Sequence, residues 1–194
     1  NFKNIIPTKD GGAIYNGDST LEIKGDGYFE GNKANSGGAI MSTKTVEKET
    51  SVKIEGNNTF IGNKSKDYGG AIYNRGSAFL LKGTQVFQEN SSEAHGGAVA
   101  NRDGTFSIEG GATFLKNNSK YSGGALFNWS SQTQFLKATH FEDNKAEWGG
   151  AISNYKDATI VLSGTSNDFV KNKADTYGGA IYNNAELTIT GNKI

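Results

Sequence analysis

The residues of this chain with chemistry to offer are its 20 acids, two histidines and many Ser and Asn side chains, spread over 194 positions. Acid–base catalysis needs two carboxylates at one reacting centre, and a calcium site needs several oxygen ligands. The aspartates Asp10, Asp18, Asp26, Asp67, Asp103, Asp143, Asp157, Asp168 and Asp175 share no recurring phase and read as solvated turn residues. His95 and His140 hold different phases of the pattern described below, so a shared metal is not expected. No Ser–His–Asp arrangement is readable. The Gly-Gly pairs are not followed by Lys-Ser or Lys-Thr, as a phosphate loop requires. There is no cysteine, which removes disulfides and thiolate metal sites. No catalytic residue, metal or cofactor is expected, and the chain is not expected to be an enzyme.

Binding chemistry is better represented. Tyr15, Met41, Tyr73, Phe127 and Tyr182 share one phase of the pattern, together with Ala100 and Ser153. Tyr68, His95, Trp148 and Tyr177 share another, just ahead of a Gly-Gly pair. Aligned in space, Tyr15, Met41, Tyr68, Tyr73, Phe127, Trp148, Tyr177 and Tyr182 form an apolar stripe and the candidate ligand face, since Tyr and Trp are enriched at binding hot spots. The alternative is that strands simply favour aromatics on either face. Lys plus Arg equals Asp plus Glu at 20 each, so no global field draws in nucleic acid, and none is expected as a partner. No apolar run is long enough to span a bilayer, and direct membrane insertion is not expected. N-x-[ST] triplets at Asn57, Asn63, Asn90, Asn117 and Asn128 read as by-products of Asn- and Ser-rich corners.

The elements that would position such a stripe follow from an internal repeat. G-G-A-[ILV] begins at Gly11, Gly37, Gly69, Gly96, Gly123, Gly149 and Gly178, spaced 26, 32, 27, 27, 26 and 29 residues apart. F-x-x-N begins at Phe29, Phe60, Phe87, Phe114, Phe141 and Phe169, and Phe2 holds the same phase. Between them lies a third apolar segment, as in Phe79 and Leu81 or Phe106 and Ile108, weakest at Thr133 and Phe135. Each segment is short and alternates with period two, which is the pattern of strands. The fold expected is all-β, a right-handed parallel β-helix of about seven coils of ~27 residues, with three short strands per coil. At about 4.8 Å per coil the rod is about 34 Å long. The aliphatic after Gly-Gly-Ala points inward. Two positions on, Asn16, Ser42, Asn74, Asn101, Asn128, Asn154 and Asn183 form a corner column able to build an amide ladder. The Asn of F-x-x-N forms a second, and Asn tolerates left-handed backbone. Small residues follow at Ala34, Ser65, Ser92, Ser119, Ala146 and Ala174. Lys24, Glu55, Lys82 and Glu109 are expected to pair along an outer column. Lys44–Glu49 is an insertion belonging on a corner. Residues 1–194 read as one β-helical stretch of a longer protein, cut within coils at both ends and contacting further coils end to end.

The paired strings, seven Gly-Gly-Ala and six Phe-x-x-Asn, resemble the repeats of the chlamydial polymorphic membrane proteins and related autotransporter passengers. Ser42 and Ile5 depart from the pattern where Asn is expected. The resemblance implies a passenger held at the bacterial cell surface, outside the cell, by a C-terminal outer-membrane barrel. It also implies adhesion to a host-cell surface protein or glycan. The alternatives are a polysaccharide-active β-helix enzyme, which needs carboxylates converging in one groove, and a structural spacer. An ice-binding solenoid would need flat columns of Thr, and the outward columns here are irregular.

Overall fold

A computed structural model describes residues 1–191 of the chain. Its elements are short strands, wound as a parallel β-solenoid whose coils recur about every 27 residues. Pairing joins each residue to its counterpart one coil away: Val99 to Leu126, Phe106 to Thr133, Phe87 to Phe114. Three sheets result, as the repeat predicts. One carries the Phe strands. A second carries the Gly-Gly-Ala and third-segment strands. The third carries a two-residue ladder just after the second Asn, such as Ser91–Ser92, which the sequence pattern did not reveal.

The interior follows from alternation. Phe2, Phe29, Phe60, Phe87, Phe114, Phe141 and Phe169 stack face to face at 4.8–4.9 Å between centroids. The aliphatics after Gly-Gly-Ala and the third-segment residues close one continuous core around them. Gly-Gly serves two purposes. Gly96 has φ +67°, a region that side chains resist. Gly97 is needed for a different reason: a Cβ there would lie on the carbonyl oxygen of Gly124 in the next coil.

Both Asn columns form ladders. Asn63, Asn90 and Asn117 each donate from Nδ2 to the Oδ1 of the Asn one coil on, at 3.0 Å, and the backbone N–H donates to the same oxygen. At the departure, Ile5 still donates its N–H to Asn32 Oδ1 at 3.0 Å, so the backbone continues the ladder. The corner column runs Asn74 to Asn101 to Asn128 to Asn154 to Asn183. Ser42 carries it onward by accepting from Asn16 Nδ2 and from Ser77 Oγ. Thr133, the polar residue in the weakest third segment, donates to Asn128 and accepts from Asn101. The left-handed backbone lies beside the ladder residues. Glu89, Lys116, Asp143 and Lys171, each just ahead of an Asn, have φ of 52–54°. The Asn itself must aim both backbone N–H and amide at the next coil, so its neighbour makes the turn.

The outer charge column pairs differently from the expectation. Lys82 meets Glu109 at 3.9 Å, but Glu55 pairs with Lys53 at 2.6 Å and Lys24 with Glu22 at 3.9 Å. A neighbour within the strand was nearer than the next coil. Lys44–Glu49 sits on a corner, held by Asp18, whose carboxylate accepts from the N–H groups of Thr45 and Val46 at 2.6 and 3.2 Å.

Candidate ligand-binding face

The strand after each Gly-Gly-Ala alternates in, out, in, out, so two residues per coil face outward. In register they form two columns. The first is Tyr15, Met41, Tyr73, Ala100, Phe127, Ser153 and Tyr182. The second is Gly17, Thr43, Arg75, Arg102, Trp129, Tyr155 and Asn184. A third, flanking column holds Tyr68, His95, Ser122, Trp148 and Tyr177, joined by single bridges and a short strand pair.

These columns pack on one another outside the main core. Met41, Tyr73, Ala100 and Phe127 are buried in a separate apolar cluster, with Tyr68 and Trp129 against it. Tyr68 stacks on Tyr73 at 5.1 Å and His95 on Phe127 at 4.7 Å. The band continues through Phe127–Trp129 at 6.0 Å, Trp129–Tyr155 at 5.3 Å and Tyr155–Tyr182 at 5.7 Å. Trp148 and Tyr177 join it at Tyr182. Of the residues singled out from the sequence, Tyr73, Phe127 and Met41 are the floor, each 4–6 % exposed. Tyr68, Trp148 and Tyr182 are half-buried and Tyr177 is 61 % exposed. Tyr15 is exposed and makes no ring contact among the described residues. Trp129, Tyr155, Arg75 and Arg102 were missed, although the same alternation carried one position past the Asn places them outward.

A slot opens among these columns. The slot holds about 260 Å³ and is lined by Tyr68, His95, Arg102, Phe127 and Trp129. Tyr155 covers the face of Trp129 turned toward its coil, with the rings only 1° from parallel. Arg102 lies 3.2 Å from Asp103. Burial raises the Tyr73 phenol above its ordinary value and lowers His95 below its own. Arg75, beside Arg102 in register, makes no ion pair among the described residues.

A polar groove of about 430 Å³ adjoins the slot across the same coils. Its floor is the corner Gly76–Ala78, Asp103–Thr105 and Ser130–Gln132, and Lys44 and Glu49 of the insertion form one wall. Two carboxylates face it, Glu49 and Asp103. His95 and His140 lie in different ladders, and no metal-binding cluster occurs among the described residues. Of the triplet asparagines, Asn63, Asn90, Asn117 and Asn128 are fully buried and Asn57 is exposed.

The Chlamydia polymorphic membrane protein repeat matches the chain at residues 26–43, 59–75, 138–155 and 168–184. Each span runs from one F-x-x-N through the next Gly-Gly-Ala strand, so the chain carries this repeat at four places. No curated protein and no solved structure matches the chain.

Proposed function

From a chain that carries polymorphic membrane protein repeats wound into a β-solenoid, we propose a stretch of a surface-displayed passenger that acts as an adhesin. It binds host-cell or extracellular ligands, protein or glycan, and makes or breaks no bond. The observation that carries this reading is the aromatic band on the outside of the solenoid, separate from the core that the fold needs. Tyr and Trp in such a band offer large, rigid contact area. The repeat gives the rod many coils, and many copies on one surface multiply shallow contacts by avidity. The groove supports binding over turnover, because one of its two carboxylates, Asp103, is held by Arg102.

The test is adhesion of the purified chain, immobilised on beads, to mammalian cell monolayers. Trp129→Ala with Tyr155→Ala removes half-buried rings and leaves the internal core intact. Adhesion is expected to fall severalfold. Full adhesion by this variant would move binding off the aromatic band, and no adhesion by the unaltered chain would leave the rod as a spacer.

A further inference from the structure

The adhesin reading does not say what chemistry the face prefers. Three observations on coils three to five converge on one class of ligand. The slot has aromatic walls in Tyr68, Phe127 and Trp129, and Tyr155 backs the Trp129 ring. Arg75 and Arg102 are directly opposed on neighbouring strands, an arrangement that costs stability unless an anion sits between them. Asp103 answers only one of the two. The adjoining groove is lined by Ser77, Thr105, Ser130 and Gln132, which offer hydroxyl and amide groups.

We propose that the slot binds a single acidic pyranose, a sugar ring carrying a carboxylate or sulfate. The apolar CH face of the ring lies on Trp129. The oxyanion takes charge-assisted hydrogen bonds from Arg102, and Arg75 adds its field. The ring hydroxyls are directed to the groove, where a following sugar continues. A volume of about 260 Å³ admits one ring and excludes a packed peptide helix. Arg102 lines the slot while its Nε lies 3.2 Å from Asp103. Asp103 and Glu49 are the acids on the groove; Lys44 there is tied to Glu47 at 3.6 Å, and Lys156 lies 5.3 Å over Trp129.

This inference rests on the adhesin reading, and the experiment separates their failures. The full chain is titrated with N-acetylneuraminic acid, glucuronic acid, galactose 6-sulfate and neutral methyl galactoside. Binding is read by saturation-transfer NMR and by Trp129 fluorescence in a Trp148→Phe background. The acidic sugars should bind at least about tenfold tighter than the neutral one. Arg102→Ala should erase that preference, and Arg75→Gln should reduce it while leaving the Arg102–Asp103 pair in place. The two carboxylate sugars against the sulfated one show which anion is preferred. Equal binding of neutral and acidic sugars overturns the proposal. So does the absence of sugar binding in a folded chain that still adheres to cells through Trp129, an outcome that leaves adhesion standing with a protein ligand. Loss of both signals overturns both.

Discussion

Asn117 is bonded to the coil on either side of it. It donates to Asn144 Oδ1 and to the Phe87 carbonyl, and accepts from the amide and side chain of Asn90. Asn117→Leu strands several of these groups at a fully buried position. Each buried unsatisfied group costs about 1–3 kcal/mol, so a loss of about 3 kcal/mol or more is expected in urea unfolding. Asn57→Ala is the contrast, an exposed Asn whose one noted role is to accept from the Thr84 N–H; it should cost well under half as much. Glycine divides in the same way. Gly97→Ala places a methyl on the Gly124 carbonyl and should abolish native folding of the neighbouring coils. Gly111→Ala meets only Ala138 O at 3.5 Å and should leave the circular dichroism spectrum and melting temperature nearly unchanged. Repeated residues of this kind were legible because their phase is fixed. Asn58, Gln85, Thr139 and Asn167 were not: they lie in one buried column, interrupted by Ala112, whose residue type changes at each coil, with Asn58 donating to Gln85 at 3.1 Å.

Among the elements, the strand after Gly-Gly-Ala carries both the fold and the candidate site, on opposite faces. Its inward face was fully readable from the aliphatic and Asn columns. Its outward face was read for one residue per coil only, which is why Trp129 and Arg102 were overlooked while Tyr73 and Phe127 were assigned a surface that they in fact floor. The aromatic band brings a pH dependence of its own. Burial holds the His95 imidazole below its ordinary value of 6.5, among Tyr68, Tyr121 and Phe127, with Arg102 on the same slot. The unfolded chain therefore binds a proton that the folded chain refuses. Stability is greatest above the unfolded value and falls as pH drops from about 6.5 through the lowered one. Melting temperature should decline between pH 7.5 and pH 5, a window above the ordinary carboxylate range. The decline should disappear in His95→Gln; an identical decline there would assign it to another group.

At the scale of the whole molecule, each coil touches only its neighbours, so the rod's stability is a sum of coil and interface contributions. The charges balance overall and pair both within strands and between coils, at exposed sites where such pairs contribute little. The rod is held instead by the Phe column and the two ladders. Digestion should therefore begin at corners. Asp18 ties the Lys44–Glu49 corner down, and its carboxyl is held below the usual range, first by the Thr45 hydroxyl and then by the backbone N–H of Thr45. Asp18→Ala should make Lys44 and Lys48 the first trypsin sites while coils three to six remain intact by mass spectrometry. Protection of those two lysines in the variant would show that the corner is held by something other than Asp18.

That corner also separates two quantities usually linked in a repeat. The second coil is longer than its neighbours, yet Ile40 still pairs with Ile14 and Ile72, and Ser51 with Thr20 and Ala78. Chain length was added with no change in pitch. The corner is a splice point, where a foreign epitope or a sequence that drifts freely can be carried on the outside while the interior reads the same template.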